Sequence, residues 1–148
     1  MPESRAELRR LAQSRAAGRC EYCRSPDRYS PQPFSLEHIS PRSAGGSDSL
    51  ENRAWCCQGC NNHKYTHSEA LDALSGVVVP LFHPRADSWD AHFLWSDDFT
   101  QILGITATGR VSVLVMNLNR QELVNLRRLL VAFGEHPTSL KNVGQGVE

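Results

Sequence analysis

Apolar positions change their period several times along this 148-residue chain. Over residues 2–18 they recur at helical spacing, with Leu8, Leu11 and Ala12 on one face, Ala16 further along and Gly18 as the stop. Arg5, Arg9, Arg10 and Arg15 fill the faces between, where they read as a solvated surface or as phosphate contacts. Residues 34–39 alternate instead: Phe34, Leu36 and His38 face one way, Ser35, Glu37 and Ile39 the other, which predicts a short strand ended by Pro41. The Gly-Gly-containing run 43–48 reads as a loop, and residues 50–55 lead into a second short strand. From Cys60 to about Ala73 the pattern predicts a turn and then a helix.

Beyond residue 76 the pattern changes. Residues 77–82 are apolar and extended, and 93–95, 101–105 and 110–115 read as short strands, with Thr108-Gly109 as the turn between the last two. Residues 120–133 predict an amphipathic helix with a stripe of Leu123, Leu126, Leu129, Leu130 and Phe133. Asn119 is the predicted N-cap, Glu122 its capping-box partner and Gly134 the C-terminal stop; residues 141–148 read as frayed. The stripe suits a core or a homodimer face. Trp89, Phe93 and Trp95 read as packing residues before base-stacking ones, and His67, His83, His92 and His136 as surface or packing histidines.

Composition narrows the class. Hydrophobic content of 40% and charged content of 22% are those of a globular domain. No apolar run approaches the roughly 20 residues that span a bilayer, and the arginine-bearing N-terminus is unlike a secretory signal, so the chain reads as cytoplasmic and without a membrane partner. Net charge is zero, yet residues 1–64 hold ten Lys and Arg against seven Asp and Glu, and residues 65–148 hold six against nine. A basic bias in the first half suits a polyanion partner.

The cysteines carry the first chemical signal. Cys20 and Cys23 form one C-x-x-C pair and Cys57 and Cys60 another, with 33 residues between the pairs. In a reducing compartment this pattern reads as a closed tetrahedral four-thiolate zinc site, and the length of the gap means that something is folded inside it. A closed set has no open coordination position, so this zinc is structural. Cys56, the fifth cysteine, reads as a small buried apolar residue.

Inside the gap lies Glu37-His38. Hydrolysis of a phosphodiester needs an activated water, neutralised phosphate charge and help for the leaving oxygen. An imidazole suits the base role, and a hard cation on carboxylate and amide oxygens suits the other two.

The run Leu36-Glu37-His38-Ile39-Ser40-Pro41-Arg42, then Gly45-Gly46-Ser47-Asp48, Leu50-Glu51-Asn52 and Cys57-Gln58-Gly59-Cys60-Asn61-Asn62-His63-Lys64, resembles the HNH endonuclease family over about residues 18–66. The resemblance implies an α+β fold: a ββα-metal core stapled by the four-cysteine zinc site, with an N-terminal helix and a C-terminal extension of small strands plus a helix. It implies His38 as general base, Asn52 as the residue that orders the loop and helps orient the histidine, and Glu37 and Asn61 as ligands of Mg²⁺ or another divalent ion. His63 is the rival of Asn61 as ligand. The family usually has Asp where Glu37 stands and often a final His where Asn61 stands. Arg42 and Lys64 are candidates for contacts to nucleic-acid phosphate.

The expected organisation is a nuclease core over residues 1–75 and an α+β extension over 76–148. The leading function is metal-dependent cleavage of nucleic acid, with DNA before RNA. A zinc-stabilised nucleic-acid-binding module without catalysis, and a zinc-stapled protein-interaction domain, are the competing readings.

Overall fold

The computed structural model describes residues 4–137. Helix α1 spans Arg5–Arg15; Ser4 caps it by accepting the Glu7 N–H at 3.1 Å, and it buries Ala12. Its stop is sharper than a single glycine, since Ala17 (φ 55°) and Gly18 (φ 72°) are both left-handed. The first cysteine pair follows as a tight turn.

Strand β1 (Ser35–His38) pairs antiparallel with β2 (Arg53–Cys56), in a register that sets Leu36 opposite Trp55, Glu37 opposite Ala54 and His38 opposite Arg53. Helix α2 (Gln58–Lys64) starts at the second cysteine pair, with the Cys57 sulfur as its cap on the Cys60 N–H. This strand, strand, helix order is the expected core. Arg15 ties α1 to it by donating to the Leu50 and Arg53 carbonyls at 3.0 and 2.6 Å, so this arginine supports the backbone and does not stand free for phosphate.

Two predicted elements are corrected. The helix beginning near Cys60 stops at Lys64, where Tyr65 takes φ 49°, and residues up to 73 are not helical. A hairpin replaces its second half: β3 (Glu69–Asp72) pairs antiparallel with β4 (Val77–Pro80) across a turn containing Gly76 at φ 75°. The β-branched run Val77–Val79 recruits the segment before it, which outweighs that segment's modest helical preference. The strand predicted at 110–115 is instead helix α4 (Ala107–Val115), and Thr108-Gly109 lies within it. Thr106 caps it, accepting the Gly109 N–H at 2.9 Å. Val111, Val113 and Val115 mimic a two-residue period, but burial falls on Val111, Ser112 and Met116. Gly109 is required there, because a Cβ would lie 2.1 Å from the His92 carbonyl oxygen.

The remaining elements are the short helix α3 (Trp89–His92), strands β5 (Phe93–Trp95) and β6 (Ile102–Gly104), which pair antiparallel, and helix α5 (Gln121–Ala132). The predicted cap of α5 shifts. Arg120 occupies the N-cap without a side-chain cap, because the Asn119 side chain is used on β6, accepting from Ile102 N–H at 2.7 Å and donating to its carbonyl at 2.9 Å. The buried face of α5 is Leu123, Val124, Arg127 and Leu130, while Leu129 and Phe133 of the predicted stripe are 58% and 76% exposed. Gly134 at φ 75° ends the helix region as expected. Residues 141–148 lie outside the described residues.

Residues on both sides of position 75 share a continuous core that runs from Ala12, Tyr22, Phe34 and Trp55 to Phe82, Trp89, Phe93, Met116 and Leu118. Trp89 Nε1 donates to the Tyr22 carbonyl at 3.0 Å, and its ring packs against Phe93 and Trp95, so these aromatics are packing residues. No described helix is long and apolar enough to cross a membrane.

Candidate metal centre and catalytic face

The two C-x-x-C turns meet. The sulfurs of Cys20, Cys23, Cys57 and Cys60 all lie within 4.8 Å of one another and all four residues are buried. Each turn is held by an N–H···S bond, Cys23 to Cys20 at 3.5 Å and Cys60 to Cys57 at 3.4 Å. Four sulfurs so placed fit tetrahedral zinc, and the chemistry of an all-thiolate donor set excludes a hard ion. Cys56 stays outside the set: its thiol donates to the Cys57 carbonyl, and burial pushes it up to about 11.

Arg120 also reaches this cluster. Its guanidinium lies 3.5 Å from Cys57 Sγ and 3.6 Å from Cys60 Sγ.

On the strand pair, Glu37 and His38 leave opposite faces, as alternation requires. His38 faces the loop that joins the strands, where its Nε2 lies 2.8 Å from Asp48 Oδ1. Arg42 donates to the same oxygen at 3.0 Å, and Arg53 approaches it at 3.7 Å. The hydrogen bond from His38, and then that from Arg42, hold the Asp48 carboxyl below the usual range. With Nε2–H turned to a carboxylate, Nδ1 is the basic nitrogen of His38.

Asn52 bonds across this loop. Its Oδ1 accepts the Ser40 N–H at 2.9 Å, and its Nδ2 donates to the Ser40 carbonyl at 2.9 Å and the Ser47 carbonyl at 2.7 Å. The loop closes so tightly that a Cβ on Gly46 would stand 1.8 Å from the Ser40 oxygen, which explains a glycine there.

Glu37 lies in a different environment. It is 4% exposed; Oε1 accepts the Tyr22 hydroxyl at 2.7 Å and Oε2 the Lys64 ammonium at 2.7 Å. Burial pushes its carboxyl above the usual range, and Lys64 pulls it back. Lys64 is 1% exposed and donates further to the carbonyls of Ile39 at 2.8 Å and His38 at 3.3 Å. The phosphate-contact role expected for Lys64 is therefore corrected: its amine is spent inside the protein, where three partners hold it. Arg42 is exposed on the loop beside Asp48. On α2, Asn61 is partly buried and its amide makes no hydrogen bond among the described residues, while His63 is exposed.

As these side chains stand, the expected pair for a catalytic ion does not fit as a pair: the Asn61 amide is open, and the Glu37 carboxylate is enclosed by an ammonium and a phenol.

Residues 20–67 match the family model described as HNH endonuclease. This segment resembles an HNH domain. It takes in the four cysteines, Glu37, His38, Asn52, Asn61 and Lys64, and leaves α1 and everything after residue 67 outside. Neither the curated proteins nor the solved structures yield a match to this chain. Within the HNH segment, sequence reasoning did not assign roles to Asp48 and Tyr22, and beyond it none to Arg120. Asp48 belongs to the Gly45-Gly46-Ser47-Asp48 run that carries the family resemblance. For Tyr22 and Arg120 no local pattern signals the contact.

Proposed function

We propose that this protein is an HNH-type nuclease that hydrolyses phosphodiester bonds of nucleic acid, with DNA as the first substrate to test. The observation that carries the proposal is the His38–Asp48 contact on a loop clamped by Asn52. His38 Nδ1 accepts a proton from the attacking water, and Asp48 orients the ring through Nε2 and stabilises the imidazolium that forms. Asn52 holds the loop that presents Asp48. Arg42 is placed to meet a phosphate of the substrate backbone.

A divalent ion such as Mg²⁺ belongs to this reading through the family. It would supply charge neutralisation at the scissile phosphate and its leaving oxygen. Asn61 is the side chain open to hold it, with His63 next; Glu37 can join only when Lys64 and Tyr22 release it. A cytoplasmic location accompanies a four-thiolate zinc site.

A second reading is favoured by the enclosure of Glu37: a zinc-stapled module that holds nucleic acid without cutting it. One experiment separates the two. Purified protein is incubated with plasmid and with Mg²⁺, Mn²⁺ or EDTA, beside His38→Ala. Metal-dependent nicking lost in the variant supports the nuclease. Binding of nucleic acid without cleavage of DNA or RNA under any of these metals supports the module.

A further inference from the structure

Arg120 lies sixty residues past the second cysteine pair, outside the HNH segment, yet its guanidinium is buried against that pair. Nη1 donates to Cys60 Sγ at 3.6 Å, and Nη2 to Cys57 Sγ at 3.5 Å and to Cys60 Sγ at 3.6 Å. Nη1 also donates to the carbonyls of Met116 at 3.3 Å and Asn117 at 3.2 Å, where the chain leaves α4. The space for it is made by Gly59, between the two cysteines: a Cβ there would stand 2.4 Å from Nη2 and 2.8 Å from Cζ.

Four thiolates around one Zn²⁺ leave roughly two net negative charges in a buried place. A buried charge without a partner is costly, and a planar guanidinium can serve two sulfurs at once. Each N–H···S bond also draws charge from a thiolate and makes it a poorer target for protons and oxidants.

We propose that Arg120 is the counter-cation of the zinc centre, so that residues far beyond the HNH segment help to retain its metal. The backbone anchors at Met116 and Asn117 make the coupling run both ways: α4 and α5 hold the guanidinium on the sulfurs, and the charged centre holds these helices on the HNH segment. This gives the C-terminal part of the chain a task that the nuclease chemistry does not. The proposal rests on the four-cysteine site and not on phosphodiester cleavage, so it stands or falls separately from the nuclease reading.

The test uses the full zinc-loaded chain and reads transfer of zinc to a chromogenic chelator. Arg120→Met keeps volume and removes the charge; zinc transfer is expected to become roughly ten- to a hundredfold faster. Gly59→Ala leaves Arg120 in the chain and displaces its guanidinium, with acceleration in the same direction. Leu123→Ala, which trims the core face of α5 and removes no charge and no hydrogen bond to a sulfur, is the control for general loosening. Replacing zinc by Co²⁺ adds a readout of the sulfurs themselves: the thiolate-to-metal absorption is expected to shift in Arg120→Met and to stay in place in Leu123→Ala. Zinc transfer at the wild-type rate in both Arg120→Met and Gly59→Ala overturns the proposal. So does transfer no faster than in Leu123→Ala of matched Tm, with the Co²⁺ absorption unmoved.

Discussion

Asp48 Oδ1 lies 2.8 Å from His38 Nε2, across ten residues of chain, on a loop that Asn52 holds from both ends. A histidine with one nitrogen turned to a carboxylate has its other nitrogen fixed in direction and tautomer. For the proposed reaction, His38→Ala should lower plasmid cleavage by roughly a hundredfold or more. Asp48→Asn should lower it less, roughly tenfold, since the amide still accepts a hydrogen bond but no longer stabilises imidazolium. Equal cleavage by Asp48→Asn and the wild type would show that the carboxylate does not orient the base.

Asn52→Ala removes three hydrogen bonds at about 1 kcal/mol each. Stability should fall by about 2–3 kcal/mol, read in a urea titration, and cleavage should fall with the loop's order even well below the denaturation midpoint. A variant with intact loop dynamics and full activity would assign the clamp a purely local role.

Lys64 and Glu37 form a buried pair whose loss leaves one charge stranded. Lys64→Met should cost about 3–5 kcal/mol. The double variant Glu37→Gln, Lys64→Met should cost less than the two single changes added together, because the second change removes the stranded group. Additive costs in the double-mutant cycle would mean that the two side chains do not depend on each other.

Zinc removal should unfold more than the cysteine turns. The four sulfurs sit in the same core as Tyr22, Trp55, Phe82 and Leu118, so chelation at neutral pH should lose tertiary structure broadly. Near-ultraviolet circular dichroism before and after chelation reads this; an unchanged tryptophan signal in the metal-free protein would refute it.

Asp72 at the end of β3 accepts from Arg110 Nε at 3.0 Å and Nη2 at 2.9 Å, and Arg110 first, then Ser75, holds its carboxyl well below the usual range. A carboxyl depressed in the folded state stabilises above its unfolded value of about 3.9, and that contribution disappears as pH falls through the folded value. Asp72→Asn should therefore lower Tm at pH 7, with the gap from the wild type narrowing below about pH 4. A gap independent of pH would trace the effect to shape and not to charge.

Several features were legible without coordinates because they depend on short spacing. Two C-x-x-C pairs imply one tetrahedral site wherever they meet, and alternation at residues 34–39 implies opposed faces for Glu37 and His38. The ends of α1 and α5 were marked by glycines that take left-handed backbone. Two periodic readings were overturned by tertiary context. The valines at 111, 113 and 115 read as a strand, and a threonine cap together with the fit of Gly109 against the His92 carbonyl made them a helix. The segment after Lys64 read as helix and became a hairpin, since pairing with Val77–Val79 satisfies its backbone better than another turn of helix would.

The sequence by itself determined the four-cysteine cluster, the strand, strand, helix core and the place of His38 on it, because each is a matter of residue type at fixed local distance. Only the tertiary structure decided what those residues touch. Asp48 meets His38, Lys64 and Tyr22 enclose Glu37, and Arg120 arrives at Cys57 and Cys60 from sixty residues away. The physical reason is that a charged group takes whichever opposite charge the folded chain brings within reach, most strictly where it is buried, and that choice is made across the whole chain.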